Sequence, residues 1–366
     1  MAHILIAGAG IVGLSVARAA VRRGHAATVL ERGEVPNPKG ASVDQHRMIR
    51  LHYGAAEDYT RMVQAAFGAW ESVWADLGVR HFADTGALAV STAPDDYTAR
   101  SRAAFDRLGV GYEVLEGDAL AALCPQLDPP ASACGVLARP GGPLFADRIV
   151  ADLARFCAAE GVRIRTRTAV AAIEGSAVVT GEGERIAGDF LVVAVGAWLP
   201  GLLPQRFGHL PTYRQALCYV EPPARYRAAW ADGPALVVLG ERGVYTLPPA
   251  AGTDLKFGSG EHRRHAAPDA GFASALEEAR EVIADFGPWL RDADQYTPLR
   301  MQVGYYVMDA TRRFRIEADG RCVFVTNCDG QMFKFGPLIG ERIIAALDGE
   351  LSAASLTRWA AGEAAG

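Results

Sequence analysis

The stretch His3-Ile4-Leu5-Ile6-Ala7-Gly8-Ala9-Gly10-Ile11-Val12-Gly13 decides the fold. The short apolar run from His3 to Ala7 predicts a buried strand. The glycines that follow predict a tight turn, and the next apolar residues predict a helix running to Arg22-Arg23 and stopped by Gly24. A second strand, Ala27-Thr28-Val29-Leu30, then ends in Glu31. A G-x-G-x-x-G spacing means little in a chain with 40 glycines. Between a strand and a helix, with an acid at the end of the next strand about 20 residues on, it predicts a dinucleotide site. Gly8 permits the turn, Gly10 lets a pyrophosphate approach backbone N–H groups at the helix N-terminus, and Gly13 lets helix and strand close up. Ile11 and Val12 supply the first helical amides, and Glu31 would accept from the ribose hydroxyls of an adenosine. The alternative is a strand-turn-helix that binds nothing.

The remainder does not continue as a simple alternation of strands and helices. Strands are expected at Ala87 to Ser91, Leu217 to Glu221 and Ala235 to Leu239, with a helix from Ala273 to Phe286. Ala146 to Gly161 reads as a helix, Val162 to Thr168 as a strand, and Phe190 to Val195 as a buried strand ending at Gly196. Arg321 to Thr326 reads as another strand. Leu338 to Leu347 reads as an amphipathic helix with Ile339, Ile343, Ile344 and Leu347 on one face. The expected fold class is therefore α/β, with a Rossmann-like nucleotide-binding domain over 1–82, 143–211 and 308–366. A discontinuous second domain of α+β type, built on a mainly antiparallel sheet, would occupy 83–142 and 212–307. A second glycine fingerprint is missing, so a bound nicotinamide is not expected and the electrons would come from the organic substrate.

Composition narrows the partners. Half of the 366 residues are hydrophobic, enough for a large core. A net charge of −5 with interspersed signs offers no basic stripe, so nucleic acid is not an expected partner. No apolar run approaches the roughly 18 to 20 residues of a membrane span. The N-terminus lacks a basic start and cleavage site, so a cytoplasmic protein is expected. Six scattered cysteines predict reduced, mostly buried thiols, and His46 and His52 without companions predict no metal. Of 37 basic residues only Lys39, Lys256 and Lys334 are lysines. In a chain that uses arginine for generic cations, those lysines are candidates for work arginine cannot do.

A set of short strings then points in one direction. GAGIVG with Glu31 is followed by Arg47-Met48-Ile49-Arg50-Leu51-His52-Tyr53-Gly54, Asp84-Thr85-Gly86 and Val195-Gly196-Ala197-Trp198. Tyr213-Arg214-Gln215, Leu255-Lys256-Phe257-Gly258 and Phe333-Lys334-Phe335 complete it. In order and spacing the chain resembles the monomeric sarcosine oxidase branch of the D-amino-acid-oxidase-like flavoproteins over nearly its whole length. The resemblance implies bound FAD, oxidation of a C–N bond of an amino acid, usually a secondary amine, and reduction of O2 to hydrogen peroxide. It implies Arg50 and Lys334 as a clamp for the substrate carboxylate, Lys256 as the cation that promotes reaction with oxygen, and Arg47 close to the flavin. Further FAD contacts would be Arg32, Ser42, Val170, Gly196 and Trp198, with Gly330, Gln331, Met332 and Lys334 from the C-terminal part. Tyr245 and Tyr306 stand equally as substrate-cavity walls and as packed core residues. Arg50, Lys256 and Lys334 could instead be a salt-bridge, strand-edge and solvated cation.

Departures from the family pattern set further expectations. Gly304 stands where the family often carries a flavin-linking cysteine, and Ser42 and Val43 replace paired histidines, so noncovalent FAD is expected. Gly260 replaces a histidine that usually follows the oxygen-reactive lysine, leaving room for a larger amine substituent unless His262 fills it. Asp329 would pair with a substrate ammonium or cap a turn. The expected partners are an amino acid substrate and O2, acting on a monomer or weak homodimer. The competing functions are oxidation of glycine or another primary or D-amino acid, a dehydrogenase that feeds a carrier, and a catalytically silent flavoprotein acting as a binding module.

Overall fold

In the computed structural model, which describes residues 1–240 and 243–363, the nucleotide half is a six-stranded sheet assembled from distant parts of the chain. Its order is Arg315–Asp319, Cys322–Asn327, Phe190–Val193, His3–Ala7, Ala26–Leu30, Arg163–Arg165. All neighbours run parallel except the outer Arg315–Asp319. Leu5, Ile6, Val29, Val192 and Val193 are fully buried, as expected of parallel strands covered on both faces. The strand expected over 162–168 is cut to Arg163–Arg165, because Arg167 takes a left-handed φ of 52° and Thr168 donates to the Glu31 carbonyl.

The helix Ile11–Arg22 lies between this sheet and the helix Gly336–Leu347. The two approach so closely that a Cβ on Gly340 would stand 2.5 Å from the Ser15 backbone. The long helix Glu57–Leu77 packs on the second of these, with Trp70 buried and donating to the Lys334 carbonyl at 2.7 Å. No helix among the described residues is long and apolar enough to cross a membrane, and the six cysteines are unpaired.

An eight-stranded sheet forms the other half, in the order Thr297–Val307, Thr212–Glu221, Leu255–His265, Val244–Leu247, Ala235–Leu239, Ala87–Ser91, Cys134–Ala138, Tyr112–Glu116. It is antiparallel except between Ala235–Leu239 and Ala87–Ser91. The helix on it is Leu276–Phe286, shorter than the expected 273–286, because the Ala273 carbonyl is taken by Arg214 at 3.0 Å. A small antiparallel sheet of Val170–Glu174, Ala177–Thr180 and Arg185–Ala187, and a two-stranded ribbon of Arg47–Ile49 with Gly142–Leu144, complete the strands.

Two glycine-to-alanine substitutions test the helix contact. Gly340→Ala is expected to lower stability by about 1–3 kcal/mol, the cost of overpacking a tight contact. Gly68→Ala, where a Cβ meets open space within Glu57–Leu77, is expected to raise it by about 0.5–1 kcal/mol. Thermal unfolding of both variants beside the parent checks the pair, and equal shifts would deny the close approach.

Candidate active site

The glycine turn has the geometry its residues imply. Gly8 has φ +103°, and a Cβ there would overlap the Ala194 carbonyl, while one on Gly13 would overlap the Gly8 carbonyl. The helix begins on Gly10, which carries no side-chain cap, and has no acid in its first turn. The Ser42 hydroxyl accepts the Ile11 N–H at 3.0 Å, and a Cβ on Gly10 would stand 3.1 Å from that oxygen. Gly10, Ile11, Val12 and Ser42 face a cavity of ≈ 860 Å³ between the two large sheets. An acid-free helix N-terminus opening on a cavity, with only the Ile11 N–H taken by a side chain, suits an anion such as a pyrophosphate.

Gly8, Gly13, Glu31, Arg32, Val170 and Trp198 lie outside that cavity. The buried Glu31 carboxylate accepts from Ala9 N–H at 2.9 Å, Gly33 N–H at 3.0 Å and Asn37 Nδ2 at 2.9 Å, tying the second strand to the glycine turn. Arg32 stacks on Trp198 at 5.1 Å, while Val170 opens the small three-stranded sheet. Gly196, Arg47, Gly330, Gln331, Met332 and Lys334 line the cavity, as do Arg50, Lys256, Tyr245 and Tyr306.

At the seam between the sheets stands a residue that sequence reasoning missed. The Asp44 carboxylate, wholly buried, accepts from Lys256 Nζ at 2.6 Å, from Arg47 and from the Tyr219 hydroxyl. Lys256 Nζ also donates to the His46 carbonyl at 2.5 Å. Burial, then the guanidiniums of Arg47 and Arg300, push the Lys256 ammonium well below its usual range, and Asp44 opposes them. Asp44 has no periodicity to mark it. The signal was indirect: two cations assigned to one buried site require an anion.

The neighbouring histidines are core residues. His46 bonds the Asp254 carbonyl at 3.1 Å and His52 the Val136 carbonyl at 3.0 Å. Burial holds His46 well below the ordinary histidine range and, with the charge of Arg50, takes His52 down to about 3. Among the described residues no group of His, Cys, Asp or Glu could hold a metal ion.

Arg50 and Lys334 form a second cationic pair with a different character. Arg50 donates to the Tyr97 hydroxyl at 2.9 Å and to Gln331 Oε1 at 3.2 Å. Its guanidinium lies 4.5 Å from the centre of the Tyr53 ring, and Lys334 Nζ lies 5.7 Å from the same ring. Neither has a carboxylate within 4.0 Å among the described residues. Burial, then Arg50, push the Lys334 ammonium well below its usual value. Asp329, on the same cavity wall, favours the Lys334 ammonium only from beyond ion-pair distance, so two cations beside one aromatic ring with no carboxylate in contact leave room for an anion from outside the chain.

Around these pairs the wall is shaped by glycines. A Cβ on Gly258 would overlap the Tyr245 ring, and one on Gly330 would stand 3.0 Å from the Tyr306 ring, so each glycine seats a tyrosine. A Cβ on Gly304 would meet open space. His262 does not fill the room beside Gly260. It lies outside the cavity, with Nε2 3.1 Å from Asp285 on the helix Leu276–Phe286, because the strand Leu255–His265 breaks register before it. Asp329 is neither a turn cap nor free for a substrate ammonium. It sits at φ +46°, bonded to Arg312 at 2.5 Å and to Gln331 Nε2 at 2.8 Å. Glu261 and Arg263, which the sequence did not single out, line the cavity.

Comparison with known proteins is consistent along the chain. The family described as FAD dependent oxidoreductase matches residues 3–347. The chain is 25% identical over 373 residues to a probable sarcosine oxidase of Arabidopsis thaliana, covering 96% of this chain and 88% of the relative. Among solved structures it is similar to NikD, an unusual amino acid oxidase essential for nikkomycin biosynthesis, with a TM-score of 0.80, 21% identity and 97% of each chain covered. L-proline dehydrogenase from P. horikoshii gives a TM-score of 0.83 at 18% identity, covering 99% of this chain and 96% of that one.

Two outcomes follow from the buried charges. Asp44→Asn is expected to cost about 3–5 kcal/mol in urea unfolding at neutral pH, since it leaves two buried cations without their acid. A loss under about 1 kcal/mol would place Asp44 outside the balance. His52, neutral in the fold down to about pH 3 but protonated below 6.5 when unfolded, makes stability fall as pH drops through that window. The slope is about 1.4 kcal/mol per pH unit for each such histidine. Urea midpoints at several pH values should show a shallower acid loss in His52→Gln than in the parent.

Proposed function

The chain belongs to the FAD dependent oxidoreductase family, and from that premise we propose that it oxidises a C–N bond of an N-substituted amino acid, with noncovalently bound FAD and dioxygen as the final acceptor. FAD, when bound, supplies the two-electron acceptor that this chemistry requires. The amides of Gly10 and Val12 suit its pyrophosphate, with the Ser42 hydroxyl that takes the Ile11 N–H beside them, and Glu31, Arg32 and Trp198, outside the cavity, would border the adenosine end. Gly196, Arg47 and the segment Gly330 to Lys334 would border the rest. The names of the relatives agree with amino acid chemistry, since they include a probable sarcosine oxidase and an amino acid oxidase.

The observation that carries the proposal is the pair Arg50 and Lys334, two cations on a cavity wall with no carboxylate within 4.0 Å of either among the described residues. An amino acid carboxylate resolves that imbalance. Arg50 offers a planar fork and Lys334 a point charge, which fixes the carboxylate and through it the reacting Cα and nitrogen. Tyr53 beneath both cations keeps water from one side, and Tyr245 and Tyr306 bound the space for the rest of the substrate. The open space at Gly304 favours a substituent on nitrogen over a small primary amine, whereas a Cβ on Gly260 would already touch the Gly243 backbone. The overall change balances as amine plus O2 to imine plus hydrogen peroxide, with water then splitting the imine to carbonyl compound and amine.

Lys256 has a separate task in this scheme. With Arg47 it presents two positive charges against the one negative charge of Asp44, leaving a net positive cluster on the cavity wall. Such a cluster favours placing an electron on dioxygen. Asp44, in contact with the lysine, opposes the burial and the guanidiniums that disfavour its ammonium form, and holds the side chain in place. The same pairing blunts the lysine's field, which favours a second reading in which a carrier, not dioxygen, takes the electrons. Prompt reoxidation of reduced enzyme by air decides for the oxidase.

Three measurements test the assignment. Arg50→Ala should weaken substrate binding by about 2–4 kcal/mol, and an unchanged KM would remove it from the clamp. Lys256→Met should slow reoxidation by air far more than anaerobic reduction; equal slowing would deny it the oxygen role. Precipitation with trichloroacetic acid should leave the yellow colour in the supernatant, and colour in the pellet would mean a covalent bond.

A further inference from the structure

The strand Leu255–His265 does not keep a regular alternation. Against the neighbouring strand Thr212–Glu221, Leu217 faces Gly258, but Gln215, only two residues away, faces Arg263. The excess residues form a bulge, a feature that re-aims side chains. Before it, the even-numbered Lys256 lines the cavity, and Gly258, two residues on, seats the cavity-lining Tyr245. Beyond it, the odd-numbered Glu261 and Arg263 line the cavity, while His262 turns to the other face. Ser259 and His262 both bond Asp285, at 2.5 and 3.1 Å, which pins the bulge from behind.

Arg263 therefore enters the cavity wall. Its guanidinium lies 5.7 Å from the centre of the Tyr213 ring, and that ring stacks on Tyr306 at 6.3 Å. Tyr306 seats on Gly330, next to Gln331, which accepts from Arg50. The wall thus runs continuously from Arg50 through Gln331, Gly330 and Tyr306 to Arg263. The arginines beside it in the fold are paired with acids: Arg264 with Glu278 and Glu281, Arg214 with Glu278, Arg312 with Asp329. Arg263, half-buried, has no carboxylate within 4.0 Å among the described residues. Glu261 shares this wall but lies beyond ion-pair distance of Arg263, and a cavity-wall cation with no carboxylate in contact is a site for an anion.

We propose that Arg263 binds a second carboxylate of the substrate, so that the amine oxidised is an amino acid whose nitrogen substituent ends in an acid. This rests on the function proposed above: the first carboxylate lies at Arg50 and Lys334, and the second at the far end of the same wall. The second carboxylate takes no part in the bond changes. Tyr306 and Gly330 separate the two positions, so a simple N-methyl amino acid reaches only the first.

The FAD-loaded enzyme tests this with two ligands of equal length, N-(carboxybutyl)glycine and its terminal primary amide. Binding is followed anaerobically by the change in flavin absorbance, and turnover by flavin bleaching. The acid should bind at least about tenfold more tightly than the amide, as expected of a charge-assisted contact. Arg263→Gln should abolish that preference and leave the affinity for the amide unchanged, whereas Arg264→Gln, on the outer face, should preserve it. Equal affinities in the parent, or a preference that survives Arg263→Gln, would overturn the second site. If the acid binds preferentially through Arg263 but neither compound bleaches the flavin, the second site stands and amine oxidation fails. If both bleach it with equal affinity, oxidation stands and the second site falls.

Discussion

Asp44 holds the two halves of the molecule in register. It lies in the segment that leaves the second strand of the nucleotide sheet, yet two of its partners, Lys256 and Tyr219, belong to the eight-stranded sheet. Arg47, three residues on, completes the group. A buried carboxylate facing two cations and a phenol has a steep optimum, because loss of any partner strands a charge away from water. The cavity is consequently a rigid seam at this point. Its shape depends on a charge balance as much as on apolar packing.

The other cationic pair obeys the opposite rule. Arg50 and Lys334 lie beside the Tyr53 ring, and their demand for negative charge is met by no carboxylate in contact among the described residues, Asp329 acting on Lys334 only from farther along the wall. The two arrangements occupy one cavity but divide labour. One is closed and fixes the geometry; the other is open and selects what enters. Desolvation weighs on both lysines, and only Lys256 has a carboxylate beside it.

What could be read from the residues, and what could not, follows the range of the interactions. The glycine turn is a local device, with strand, turn, helix and acid within one stretch of chain, so Gly8, Gly13 and Glu31 stand where their spacing implied. The scarcity of lysine drew attention to Lys256 and Lys334 without any knowledge of their partners. Asp44 escaped because its meaning arises only when residue 256 is brought beside it. Whether His262 fills the room beside Gly260 stayed open because alternation along a strand assumes an unbroken ladder, and the bulge after Gly258 shifts the parity. Asp329 was weighed between substrate and turn, while its partner, Arg312, lies 17 residues earlier in the chain and meets it only through the fold.

The sheet that carries the glycine turn has a consequence for how the protein is made. Its central strands are His3–Ala7 and Phe190–Val193, but the next, Cys322–Asn327, and the helix Gly336–Leu347 that covers Ile11–Arg22 come from the last part of the chain. On the ribosome the strand His3–Ala7 therefore waits until Cys322–Asn327 has been made before its sheet is complete. Long-range pairing of this kind folds slowly and leaves apolar strands exposed meanwhile. Chaperone protection of the nascent chain, and truncation near the C-terminus, should thus govern how much active protein a cell accumulates more strongly than any change confined to the cavity.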